Sequence, residues 1–114
     1  MKQAEIRRGL YDHLGRGQDN AKTGRELAQL LGTTYRQVTR VIEMERRAGV
    51  PICASTAAPM GYYLASSRDD IQMMCAQLAH RQTEIGRTET ALLATLDAWA
   101  DEPGDSLPYR QMVR

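Results

Sequence analysis

Phenylalanine is absent from this 114-residue chain, and aromatic side chains make up only 5% of it. The core must therefore be assembled from Leu, Ile, Val, Met and Ala. Cysteine is scarce as well. Cys53 and Cys75 stand alone and far apart, which excludes a disulfide framework and a Cys-x-x-Cys zinc site and leaves two reduced thiols. His13 and His80 are distant from each other, so no metal-ligand spacing arises. No Gly-rich phosphate loop, nucleophile elbow or His–carboxylate motif occurs. Catalytic residues, metal and cofactors are accordingly expected to be none, and the protein is not expected to be an enzyme. No apolar run approaches the ~20 residues that span a bilayer. The first residues, Met1-Lys2-Gln3-Ala4-Glu5-Ile6-Arg7-Arg8, lack the apolar stretch of a signal peptide. A cytoplasmic location without membrane association is expected.

The formal net charge is +1, but it is unevenly spread. Residues 1–65 carry ten Lys and Arg against six acids, an excess of +4, whereas residues 66–114 carry five Arg against eight acids. A polyanion-facing role therefore falls to the first half.

Residues 3–14 place Ile6, Leu10, His13 and Leu14 at helical spacing. The stretch Gly15-Arg16-Gly17-Gln18-Asp19-Asn20 ends that helix as a turn, and Ala21-Lys22 can add a short extended piece. Thr23-Gly24-Arg25-Glu26 then reads as a capping box, with Leu27, Leu30 and Leu31 as the buried stripe and Gly32 as the stop. The pattern recurs at once. Thr34-Tyr35-Arg36-Gln37 is a second capping box, Val38, Val41 and Ile42 are the buried positions of a third helix, and Gly49 ends it. Two capped helices across a tight turn make a helix-turn-helix. Counted from Gly24, Ala28 stands fifth, Gly32 ninth and Val38 fifteenth. Those are the places of closest helix packing, of positive φ in the turn, and of the second helix's anchor.

Val50-Pro51-Ile52-Cys53 is apolar and β-prone, with Pro51 marking an edge strand and Cys53 a small buried or half-buried residue. A flexible loop from Ala54 to Met60 leads to a second strand, Gly61-Tyr62-Tyr63-Leu64. The expected fold class is thus mainly α: a winged helix-turn-helix, three helices plus a β-hairpin wing, over 1–65, followed by a long C-terminal helix. Arg36-x-Val38-x-Arg40-x-Ile42, then Arg47-Ala48-Gly49-Val50-Pro51-Ile52 and Gly61-Tyr62-Tyr63-Leu64, resemble the biotin-repressor type of winged helix. Asp19-Asn20-Ala21 before Thr23-x-Arg25-Glu26-Leu27-Ala28 is similar to small phage or prophage proteins of that type. The resemblance covers residues 3–65 and implies DNA binding. With no ligase domain following, it implies no biotin activity. The wing departs from the commoner pattern, because Ala57, Ala58, Pro59 and Met60 put no basic side chain at its tip.

From Ser66 or Ser67, which can cap it, a further helix is expected over about 66–101. Ile71, Leu78, Ile85, Leu92 and Trp99 recur every seven residues, with Met74 or Cys75 and Thr95 or Leu96 among the companion positions. Three arrangements are open: a homodimer seam, parallel or antiparallel, using Ile71, Met74, Leu78, Ile85, Leu92, Leu96 and Trp99; a break near Gly86 into two helices; or a solvated single helix. A disordered tail is expected over 102–114.

The third helix, 34–48, is expected to enter the major groove as part of a homodimer, on the double-stranded DNA of a phage or mobile element. Arg36 and Arg40 suit guanine, and Thr34, Tyr35, Gln37 and Thr39 suit phosphates or thymine methyls. Lys22 and Arg25 would clamp the backbone at the start of the second helix. Arg46 and Arg47 are flank or salt-bridge residues. The alternative is a winged helix that binds another protein and no specific DNA.

Overall fold

The structure, a computed structural model, describes residues 2–99, with side-chain surroundings for residues 2–96. The chain divides into two compact units, Met1–Cys75 and Ala76–Arg114. Helices dominate: α1 (Gln3–His13), α2 (Gly24–Leu31), α3 (Tyr35–Arg47) and α4 (Arg68–Trp99), with a short 3-10 turn at Gln18–Asn20. Two antiparallel strands, β1 (Ile52–Ser55) and β2 (Gly61–Leu64), lie between α3 and α4. No helix among the described residues is long and apolar enough to cross a membrane.

The core of the first unit is aliphatic, as the lack of Phe requires. Ile6, Leu10 and Leu14 from α1 and its end meet Leu27 and Ala28 of α2, Val38, Val41 and Ile42 of α3, and Ile52 of β1. Leu30 departs from its expected place and is 52% exposed, while Leu31 is half-buried against the core. On an eight-residue helix the buried face is narrow. It passes through Leu27, Ala28 and Leu31, and Leu30 falls beside it.

Local signals set the helix ends. Thr23 accepts a hydrogen bond from the Glu26 N–H, and the Glu26 carboxylate accepts one from Thr23 N–H, closing a full capping box on α2. Gly32 ends α2 at φ 67°, in the left-handed region. At α3 only half of the expected box forms. Thr34 accepts from the Gln37 N–H, but the Gln37 side chain turns to the Thr33 hydroxyl instead of reaching back.

The connection between α1 and α2 is more than a turn. Lys22 N–H donates to Tyr62 O (3.0 Å) and Tyr62 N–H to Lys22 O (2.7 Å), while Gly17 N–H donates to Leu64 O and Leu64 N–H to Gly15 O. β2 is therefore bonded on both edges, by β1 on one side and by residues 15–22 on the other. This crowding requires Gly61: its φ is +127°, and a Cβ there would lie 2.2 Å from Lys22 O.

A second, smaller cluster joins Cys53, Tyr63 and Met74. It carries the first unit into α4, ten residues beyond the expected limit at 65. Met74 is 7% exposed, so it belongs to this cluster and not to a free seam. Asp70 secures the entry to α4 by accepting from both the Ser66 N–H and the Ser66 hydroxyl, and Ser67 caps the Asp70 N–H. These donors hold the Asp70 carboxyl below its ordinary range. Beyond Met74, α4 continues through Gly86 without interruption, which removes the two-helix alternative. The Trp99 side chain and the tail expected over 102–114 lie outside the described residues.

One buried charge ties α1 to α3. Glu45 Oε1 accepts from the Tyr11 hydroxyl (2.7 Å) and from Arg7 Nε (2.8 Å), with Glu45 itself 8% exposed. The Tyr11 hydrogen bond pulls the Glu45 carboxyl below its ordinary value; burial opposes this and Arg7 adds to it. A depressed folded value adds stability above the unfolded pKa of about 4.3, and that stability is lost as pH falls through the folded value. Glu45→Gln is expected to cost about 2 kcal/mol at pH 7. It is also expected to flatten the loss of stability below about pH 4. Thermal melts across roughly pH 2–7 read both effects.

Candidate nucleic-acid interface

Amphipathic spacing decides which face of α3 is free. Val38, Val41, Ile42 and Glu45 are buried, leaving Tyr35, Arg36, Arg40, Glu43, Met44 and Arg47 exposed, with Gln37 and Thr39 intermediate. Arg36 and Arg40 stand one turn apart on that free face. Among the described residues neither makes an ion pair or a side-chain hydrogen bond. The acid nearest in sequence, Glu43, approaches Arg47 instead, at 3.8 Å.

The remaining cations of α3 are committed. Arg46 donates from Nε to Ile52 O (2.7 Å), approaches Met74 Sδ, and lies 5.6 Å from the Tyr62 ring centroid. It acts as a bracket between α3, the hairpin and the start of α4, all within the first unit. Lys22 also departs from its expected role. Its ammonium, half-buried, donates to His13 O at the end of α1, where the helix dipole favours a cation. A phosphate clamp at that position therefore loses its lysine.

Arg25 is exposed in the first turn of α2, with its guanidinium 5.4 Å from the centroid of the Tyr35 ring. Tyr35 in turn lies against Gly24, where an added Cβ would come within 2.5 Å of the ring. Gly24 thus lets the two helix starts close on each other. Thr34 and Thr39 spend part of their hydrogen-bonding capacity locally, Thr34 on the Gln37 N–H and Thr39 on Arg36 O. Each hydroxyl retains a free lone pair.

Sequence reasoning missed a cleft beside Arg25 and Tyr35. This shallow cleft is lined by Thr23, Gly24, Arg25 and Tyr35 on the helical side, and by Ser55, Met60, Gly61 and Tyr62 on the hairpin side. Strand alternation carried the signal: Tyr63 packs with Cys53 and Met74, so Tyr62 takes the opposite face, where it lies against the main core and lines the cleft. The hairpin connection supplies no cation, and Met60 there is 57% exposed. Gln18 reaches across to the Ser55 hydroxyl and steadies that edge. No family model matches the chain, and no curated protein or solved structure matches it.

The two kinds of arginine separate in stability. Arg46→Ala is expected to cost about 1–3 kcal/mol, because Ile52 O loses its donor and two ring and sulfur contacts go with it. Arg36→Ala with Arg40→Ala should stay within about 0.5 kcal/mol of the parent. Urea unfolding of the variants checks the ordering.

Proposed function

We propose that the first unit is a winged helix-turn-helix that binds double-stranded DNA, with α3 in the major groove and the β1–β2 hairpin as its wing. The observation that carries this reading is the pair Arg36 and Arg40, exposed and unpaired one turn apart, while Arg46, Arg47 and Lys22 are engaged within the chain. An unpaired guanidinium fork on a helix matches the O6 and N7 acceptors of guanine. Arg25, stacked on Tyr35 beside the first N–H groups of α2, suits a phosphate. Tyr35, Thr34, Gln37 and Thr39 fill the same face with donors and methyls.

One such module covers little DNA, so a second copy is needed for useful affinity. The apolar stripe of α4 supports that step: Ile71, Leu78, Ile85, Leu92 and Leu96 are all exposed. On this reading the protein is a homodimeric regulator of transcription or replication, and the residues that resemble phage and prophage proteins support a role on a mobile element. A protein-binding adaptor is the second reading, favoured by the cation-free hairpin tip with its exposed Met60.

Salt separates the two. If several phosphates are contacted, log K should fall with log salt at about 0.9 per phosphate. Arg36→Ala with Arg40→Ala should cut affinity for a preferred duplex by about tenfold to a hundredfold and erase sequence preference. Fluorescence anisotropy with labelled duplexes reads both. Binding insensitive to salt and to the two arginines would move the reading to the adaptor.

A further inference from the structure

The stripe on α4 has a mirror order about Ile85. Leu78 and Leu92 lie seven residues to either side, and Arg81 and Glu89 lie four residues to either side, all on the same face. Ile85, Leu78 and Leu92 are exposed, as are Arg81 and Glu89. Glu84 and Arg87 pair with each other at 2.9 Å, whereas Arg81 and Glu89 make no ion pair among the described residues. The seven-residue period selects a helical partner, because that period keeps one stripe facing another helix.

From this order we infer that two copies of α4 pair antiparallel, crossing at Ile85. The inference rests on the dimer reading given above and fixes its direction. In that arrangement Leu78 of one copy meets Leu92 of the other, and each Arg81 faces a Glu89, twice over by symmetry. A parallel, in-register pair would set Arg81 on Arg81 and Glu89 on Glu89 beside the seam, where like charges repel. Charge complementarity therefore chooses both the occupant, a second copy of this chain, and its orientation.

Native Cys75 reports the direction. It is exposed while Cys53 is buried, so a nitroxide reagent labels Cys75 selectively in the unmodified chain. Sedimentation equilibrium first gives the mass, expected at twice the 12.8 kDa of one chain. Ten residues separate position 75 from position 85, so antiparallel copies place the labels about 30 Å apart along the axis. Parallel copies would bring them within roughly 20 Å, because paired helix axes lie only about 8–10 Å apart. Pulsed electron resonance is expected to show the longer distance. Arg81→Glu should weaken the dimer about tenfold, and adding Glu89→Arg should restore it. A short distance, or a dimer indifferent to Arg81→Glu, overturns the antiparallel assignment and leaves the dimer standing. A monomeric mass overturns the pairing altogether, while duplex binding by the first unit is read independently in the anisotropy experiment.

Discussion

The reciprocal backbone bonding of Lys22 and Tyr62 is the constraint on which the first unit depends. It fastens β2 to the residue just ahead of the α2 cap, so the hairpin cannot swing away from the helix starts. Gly61 makes that approach possible, because any side chain there would run into the Lys22 carbonyl. Once β2 is fixed, Tyr63 is buried with Cys53 and Met74, and Tyr62 stands beside Arg46 and the cleft. The start of α3, at Tyr35, and the hairpin residues Ser55, Met60 and Tyr62 then line one cleft. Lys22 pays for this with its ammonium, which is drawn to the end of α1.

Much of this was legible in the residues. Capping at Thr23 and Thr34, the stop at Gly32 and the buried Val38, Val41 and Ile42 follow from local chemistry that acts within one or two turns. The strands around Cys53 and Tyr63 follow from β-prone residues between turn formers. What escaped was set by contacts distant in sequence. Nothing near Lys22 announces that its ammonium will meet His13 O. Nor does anything near Glu45 foretell two donors from α1, more than thirty residues away. Met74 looked like a seam residue because spacing along α4 alone cannot show which turn the hairpin covers. The reciprocal half of the α3 capping box failed for a smaller reason, a competing hydroxyl on Thr33.

The same division runs through the candidate site. Periodicity located the free face of α3, and so Arg36 and Arg40, without reference to the rest of the fold. Telling a free arginine from a structural one needed the partners: Arg40 and Arg46 have the same side chain and opposite fates. The hairpin contributes shape and the Tyr62 ring to the cleft, and no charge. Recognition in this account is therefore led by the helix, with Arg25 of α2, stacked on Tyr35 of α3, as the support.

Selection from a random-sequence duplex library tests that account most directly. It predicts enrichment of a short element containing guanine, repeated with two-fold symmetry, and loss of the enrichment when Arg36 and Arg40 are replaced by alanine. A library that emerges with no enriched element, or with one unchanged by those replacements, would contradict it.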